Sequence, residues 1–419
     1  MMMKILAMVL LILPAMASAS KLYIPMDANQ SNHLKAYGLT YWILQQDISV
    51  DWLLNHRGGS FLCDYHRVVE NEAIIRGVTY EVIPDAQADQ MAAVIASPSS
   101  NQDLMRLEQF PKIAVYTPRS ESPWDDAVVL ALKYAEIPYQ ELYDEEVLNG
   151  DLSQYDWLHL HHEDFTGQYG KFHMAFHMHP WYQAQRQECE DIASKYGYAK
   201  VSHLKRAVTQ KIQDFVVKGG YMFAMCSATD TYDIALATES TDVAAAVYDG
   251  DPVDRAANQK LNFQNTFAFV NFSVVTNPWE IEFSSIDVDL STRPIPRERD
   301  YFSLFEFSAK WDPIPTMLTQ NHEQTIKGFL GATTAFRKEH LRPNVIVLGE
   351  NRQAHEAKYI HGEFGRGFWT FYGGHDPEDY QHNIGEQPTD LRLHPNSPGY
   401  RLILNNILFP AAKKKKQKT

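Results

Sequence analysis

Short apolar runs alternate with amphipathic stretches over residues 110–240, and this rhythm restricts the chain to a layered α/β fold. Lys112-Ile113-Ala114-Val115-Tyr116 reads as a buried strand. Residues 124–135 read as a helix, with Asp125 and Asp126 in its first turn, where the dipole favours acids. Residues 139–143 and Trp157–Leu160 have strand character. The amphipathic stretch 208–218 is stopped by Gly219-Gly220, and Tyr221–Met225 is a strand that runs straight into Cys226. Strand, helix, strand in this order needs crossover connections, which give parallel neighbours with helices on both faces. The expectation is a doubly wound, mostly parallel sheet over residues 110–410.

Three regions frame that domain. Residues 20–108 form a small N-terminal βα lobe. It has a strand at Lys21-Leu22-Tyr23-Ile24-Pro25, a helix over 33–46, a second strand at Val50–Leu54 and a turn at Gly58-Gly59, and residues 79–83 and 91–96 complete it as a βαβ-like module. Residues 242–338 change texture: 266–275, 280–288 and 302–307 are β-rich and separated by prolines, as in an insertion. The α/β pattern resumes at 344–348, Gly367–Tyr372 is the last strand, and 400–408 is a closing helix.

The N-terminus reads as a secretory signal: Lys4 after three methionines, an apolar run over 5–16, and Ala17-Ser18-Ala19 at the cleavage positions. Cleavage near Ala19 implies export, to the periplasm or beyond. The apolar run is shorter than the ~20 residues of a spanning helix, so no membrane anchor is expected. Net charge is −14, and without Lys4 and the five lysines of the tail at 411–419 the body carries 32 basic against 52 acidic residues. Such a body repels phosphate backbones, which excludes nucleic acid as a partner and leaves a small molecule. Oligomeric state is not encoded in these features. An oxidising compartment permits one disulfide among Cys63, Cys189 and Cys226, with Cys63–Cys189 a candidate pair and one thiol left over.

Gly219 to Ala228 has the form of a nucleophile elbow, in which a strand enters a tight turn and leaves in a helix, here 229–237. Ala224 and Ala228 are the small neighbours that such a turn needs, and a thiol at a helix start has its thiolate favoured. Its base is sought in Gly373-Gly374-His375-Asp376-Pro377-Glu378, because residues just past the ends of parallel strands gather along one edge. His375 would take the proton, with Asp376 or Glu378 orienting it.

These motifs resemble the class I glutamine amidotransferase-like superfamily over residues ~110–410, on the switch-point logic of such sheets. The resemblance implies that Cys226 attacks a side-chain amide and His375 serves as base. It also implies an oxyanion hole made by the Ser227 N–H and by the loop around 162–167, with His162, Glu163 and Gly167 near the substrate. More narrowly, Trp124-Asp125-Asp126, the stretch 155–170 and the Gly-Gly-His-Asp-Pro-Glu motif resemble an exported bacterial family often labelled asparagine synthetase B. ATP-dependent asparagine synthesis itself is not expected, since neither an N-terminal cysteine nor a Ser-Gly-Gly-x-Asp-Ser loop is present. The elbow carries alanines where that superfamily has glycines, and Pro377 stands where its His-x-Glu has the acid.

The expected function is an exported cysteine-dependent amidase or hydrolase of a small amide or ester, needing no cofactor. A non-catalytic binding protein on the same scaffold is the alternative. A third reading is a metal-dependent hydrolase using the histidines of 159–179. In it His173 and His177, four apart, would share a helix face, with His179 nearby. Arg57-Gly58-Gly59-Ser60 is a weaker signal for anion binding.

Overall fold

The computed structural model describes residues 20–412, apart from 294, 307 and 313–322. The leader and the lysine run at 413–416 and 418 lie outside the described residues, as does position 307 of the expected strand 302–307.

The N-terminal lobe is a five-stranded sheet of β1 (Ser20–Ile24), β2 (Val50–Leu54), β3 (Ser60–Asp64), β4 (Glu81–Pro84) and β5 (Asp103–Leu107), in the order β4-β1-β3-β2-β5. All its pairings are antiparallel, which corrects the βαβ expectation. The chain returns from β2 to β3 through the tight turn at Gly58 and Gly59, so the two strands form a hairpin and no crossover is made. Residues 91–96 belong to the helix Asp85–Ala96.

The second sheet contains β6 (Ile113–Tyr116), β7 (Gln140–Leu142), β8 (Trp157–Leu160), β9 (Tyr221–Met225), β10 (Tyr301–Leu304), β11 (Thr325–Lys327), β12 (Phe336–Arg337), β13 (Ile346–Asn351), β14 (Glu356–Phe364) and β15 (Gly367–Tyr372). Its order is β11-β10-β13-β14-β15-β9-β8-β6-β7, with β12 paired to β14. Only the run β15-β9-β8-β6-β7 is parallel. The other half is antiparallel, so the sheet is mixed and not mostly parallel. Its β10 and β11 come from the expected insertion, which therefore extends the main sheet instead of forming a separate unit.

Alternation along the central strands sends side chains into two cores. Val115, Trp157, Phe223, Met225 and Tyr372 enter the core shared with the N-terminal lobe, while Leu158, Leu160, Met222, Ala224 and Phe371 enter the opposite one. Helices His33–Gln45, Ala127–Ala135 and Pro398–Leu408 cover the first face, and Val201–Val217 and Ala228–Ala237 the second. The lobes join by close helix packing, for a Cβ at Gly38 would lie 1.7 Å from the Ala135 carbonyl oxygen. Buried Arg401 donates across the same junction to the carbonyls of Met26 and Gly58 at 3.3 and 2.8 Å.

The stretches 266–275 and 280–288 do not become strands; they meet neighbours only through isolated bridges. Side chains replace the ladder there. The Asp233 carboxylate accepts the N–H groups of Phe267, Ala268 and Phe269 at 2.7, 2.8 and 2.9 Å, and Asn258 accepts that of Val274 at 2.7 Å. Asp233→Ala should orphan three buried donors and cost about 3 kcal/mol or more in denaturant unfolding. A loss within ~0.5 kcal/mol, as for an ordinary surface change, would mean that Asp233 does not hold the segment.

Candidate functional site

Cys226 follows β9 with φ of +50°, a left-handed conformation that a non-glycine residue adopts only when its surroundings impose it. What imposes it is visible on all sides. The Cys226 N–H donates to the Gly374 carbonyl at 3.2 Å, the Ala228 N–H to the His161 carbonyl at 2.9 Å, and the Thr229 N–H to the Cys226 carbonyl at 3.1 Å. The sharp turn then passes into the helix Ala228–Ala237.

The sulfur is enclosed, with Cys226 only 2% exposed, and it accepts the Ala332 N–H at 3.2 Å. Burial pushes the thiol above its ordinary value, Asp287 adds to this, and the N–H groups of Ala332, Thr333 and Ser227 oppose it. The capping loop is itself held by buried ionisable side chains, each of which burial pushes toward its neutral form. Asp287 accepts from the N–H groups of Thr334 and Ala335 at 2.9 and 3.1 Å, and Asp230 accepts from the Thr333 hydroxyl at 2.9 Å. The Lys358 ammonium donates to the carbonyls of Phe329 and Thr334, although burial lowers its pKa to about 7.

His375 lies one residue past the carbonyl bonded to Cys226, so the two predicted residues do reach one rim of the sheet. Among the described residues, however, no imidazole hydrogen-bonds the sulfur, and both His375 ring nitrogens are buried without a hydrogen-bond partner. The predicted orienting acids are engaged elsewhere. Asp376 accepts from the Tyr400 hydroxyl and the Glu378 N–H, both at 2.8 Å, and Glu378 faces the His394 Nδ1 at 3.0 Å.

His375 belongs instead to a stack of imidazoles. Its ring centroid is 4.8 Å from His161, 4.6 Å from His162 and 4.1 Å from His382, and His161 and His162 are 3.8 Å apart. Beneath them, Asp126 caps the helix Ala127–Ala135 by accepting from Val128 and Val129, and it also pairs with His159 Nε2 at 3.0 Å. Burial opposes the Asp126 charge, yet His159 and His161 hold this carboxyl well below its ordinary range. Burial and the neighbouring rings push His162 and His375 well down, which favours their neutral forms.

His162, Glu163 and Gly167 line a small cavity of about 20 Å³ with Trp124, Tyr169, Phe172 and Lys205; Cys226 is not among its walls. Burial raises the Glu163 carboxyl to about 8, against Lys205. His173, His177 and His179 lie apart from the convergent donor groups: His177 Nδ1 bonds the His173 carbonyl at 2.9 Å, and both His177 and His179 are exposed. Arg57 is paired with Asp27 and Glu81 at 2.7 and 2.8 Å, so its guanidinium serves an internal contact. All three cysteines are free, with Cys63 and Cys189 buried in different cores.

The sequence reading missed His382 and the placement of Asp125. The available signal was a further histidine seven residues beyond His375, in the same loop.

The fold and rim define a mixed α/β protein whose candidate site lies at the carboxyl ends of parallel strands. No family model and no curated protein matches the chain. Among solved structures, two cytoplasmic proteins of Salmonella typhimurium, one of them from strain LT2, are 10% and 12% identical. They cover 72% of this chain and 100% of their own, at TM-scores of 0.34 and 0.35. A β-galactosidase from Bacillus circulans sp. alkalophilus is 12% identical and covers 65% of this chain and 29% of its own, at a TM-score of 0.28. Likeness this distant carries no argument about function.

Because burial raises the Cys226 thiol, its alkylation by iodoacetamide in the native protein should accelerate through pH 9 and beyond. A rate already level by pH 8, followed by mass spectrometry of the Cys226 peptide, would show an activated thiolate instead.

Proposed function

We propose that the protein is an exported hydrolase of small amides or esters, built on a class I glutamine amidotransferase-like domain, with Cys226 as its nucleophile. The observation that carries this reading is the left-handed Cys226 at the junction of a central parallel strand and a helix. Helices on both faces of the run β15-β9-β8-β6-β7 support the assignment of the domain.

In this reading Sγ attacks the carbonyl carbon of the substrate, forming a thioester, while the thiol proton passes to His375 and on to the departing amine or alcohol. Water then cleaves the thioester by the same route in reverse. The Ser227 N–H, which favours the thiolate, would meet the developing oxyanion. The thiol is neutral before substrate binds, so proton removal and attack must occur together in the complex. This chemistry needs no cofactor.

Cys226→Ala and Cys226→Ser should each lower kcat/KM on a panel of small amides and esters by at least ~10³-fold with the circular dichroism spectrum unchanged. Undiminished turnover by the alanine variant would end the proposal. One observation favours a second reading, binding without turnover: the sulfur is enclosed and already holds the Ala332 N–H. That reading expects ligands from the same panel to raise Tm while no product forms.

A further inference from the structure

We infer that His161, His162 and His375, extended by His382 and Asp125, form a binding site for a divalent transition-metal ion of the zinc class. The inference stands apart from the hydrolase reading, because it concerns donors that lie beside Cys226 and do not include it.

Two donor triads share His375. In the first, ligand atoms of His161, His162 and His375 lie within 4.8 Å of one another; in the second, those of Asp125, His375 and His382 do. Zinc bonds of about 2.0–2.1 Å in a tetrahedron need donors roughly 3.3 Å apart, so the rings close on an ion by small rotations. The nitrogens are there to be used. Nε2 of His161, both ring nitrogens of His375 and Nε2 of His382 are buried with no hydrogen-bond partner, although His161 and His375 are only 1% and 4% exposed. Buried polar atoms without partners are rare, and three imidazoles in one spot need a common explanation.

The surrounding shell has the form that metal sites use. The His162 Nε2–H donates to the Asp125 carbonyl at 2.8 Å, which fixes the ring and leaves Nδ1 as its lone-pair donor. Asp126 Oδ1 lies 3.2 Å from His161 Nδ1, a carboxylate placed behind a ligand ring, which leaves Nε2 for the ion. Asp125 Oδ1 lies 3.4 Å from His382 Nε2 and has no hydrogen-bond partner, so one anionic donor is also at hand. Imidazole with carboxylate suits zinc, cobalt and nickel, whereas magnesium and calcium want an all-oxygen shell. Half-buried His173 and exposed His177 and His179 contribute nothing to it.

A metal at this point takes the His375 nitrogen that proton transfer from Cys226 would use. On the hydrolase reading above, zinc therefore inhibits the thiol-dependent reaction.

The test is isothermal titration of chelator-treated protein with zinc chloride, repeated with cobalt chloride for the visible d–d bands of a four-coordinate ion. The expected result is one equivalent bound by the full chain and by Cys226→Ala. His161→Gln and His375→Gln, each checked for a native circular dichroism spectrum, should bind at least tenfold more weakly, while His173→Ala with His177→Ala should bind as the parent does. Absence of stoichiometric binding to the parent protein overturns the inference. So does binding that survives both glutamine variants and is lost with His173 and His177. Should a glutamine variant misfold, the cobalt spectrum of the parent protein decides, since octahedral weak bands also overturn it. Stoichiometric zinc binding together with no hydrolysis by the metal-free protein would remove the Cys226 reading alone; hydrolysis indifferent to bound zinc would remove only the inhibition.

Discussion

The site depends on the register in which β15 lies against β9. Tyr372 pairs with Met225 and Phe371 with Ala224, so Gly373 comes level with Cys226 and the carbonyl of the next residue, Gly374, takes the Cys226 N–H. On the other side, β8 pairs Leu160 with Ala224, which brings His161 and His162 to the same height. Three strand ends in a row thus deliver a thiol and three imidazoles that are separated by up to 214 residues in the chain, from His161 to His375. A slip of one residue in either pairing would exchange the two faces and move the imidazoles into the opposite core.

Close approach of backbone to backbone makes that row possible. A Cβ at Gly331 would lie 2.9 Å from the Gly374 backbone, and one at Gly373 would lie 2.5 Å from the Thr334 carbonyl oxygen. The 328–335 loop can therefore lie directly on the Gly373-Gly374 turn and still present the Ala332 N–H to the sulfur. Its backbone groups are tied by Asp287 and Lys358 and its Thr333 hydroxyl by Asp230, all three buried. Burying such groups is costly unless each is hydrogen-bonded, and here each has its partners in the loop itself. The glycine pair after the last strand is thus explained by packing as much as by mobility.

The strands Trp157–Leu160, Tyr221–Met225 and Gly367–Tyr372 were legible because each is short and mostly apolar, and the last two adjoin a Gly-Gly pair. Strand β14 was not: Lys358 and His361 sit inside it, both buried, so neither an apolar run nor an alternating pattern marks it. Without β14 the hairpin that makes half the sheet antiparallel cannot be seen. Residues 266–275 failed for the opposite reason. Their phenylalanines suit a strand, but Asp233 and Asn258 supply the hydrogen bonds that a neighbouring strand would, and those partners lie far off in sequence. At the site, Cys226 and His375 were readable from their places after strands. Asp126 was read as a dipole acid, whereas it is the residue before the helix, capping it and facing two histidines. His382 carries no pattern; it joins the site only because its loop folds back to lay one ring on another, at an angle of 7°.

Rings stacked this closely constrain what the rim can do. Positive charge on adjacent imidazoles 3.8–4.8 Å apart, away from water, is opposed by like-charge repulsion and by burial together. Neutral imidazole has one lone-pair nitrogen, and those of His161 and His375 meet no donor from the protein. A group that accepts a lone pair, whether a proton in transit or a cation, would complete the stack. Both uses run through His375, whose backbone N–H is held by the Leu330 carbonyl at 2.8 Å and whose preceding carbonyl holds Cys226. The Gly374–His375 peptide thus carries the backbone acceptor of Cys226 on one side and the imidazole shared by both donor triads on the other.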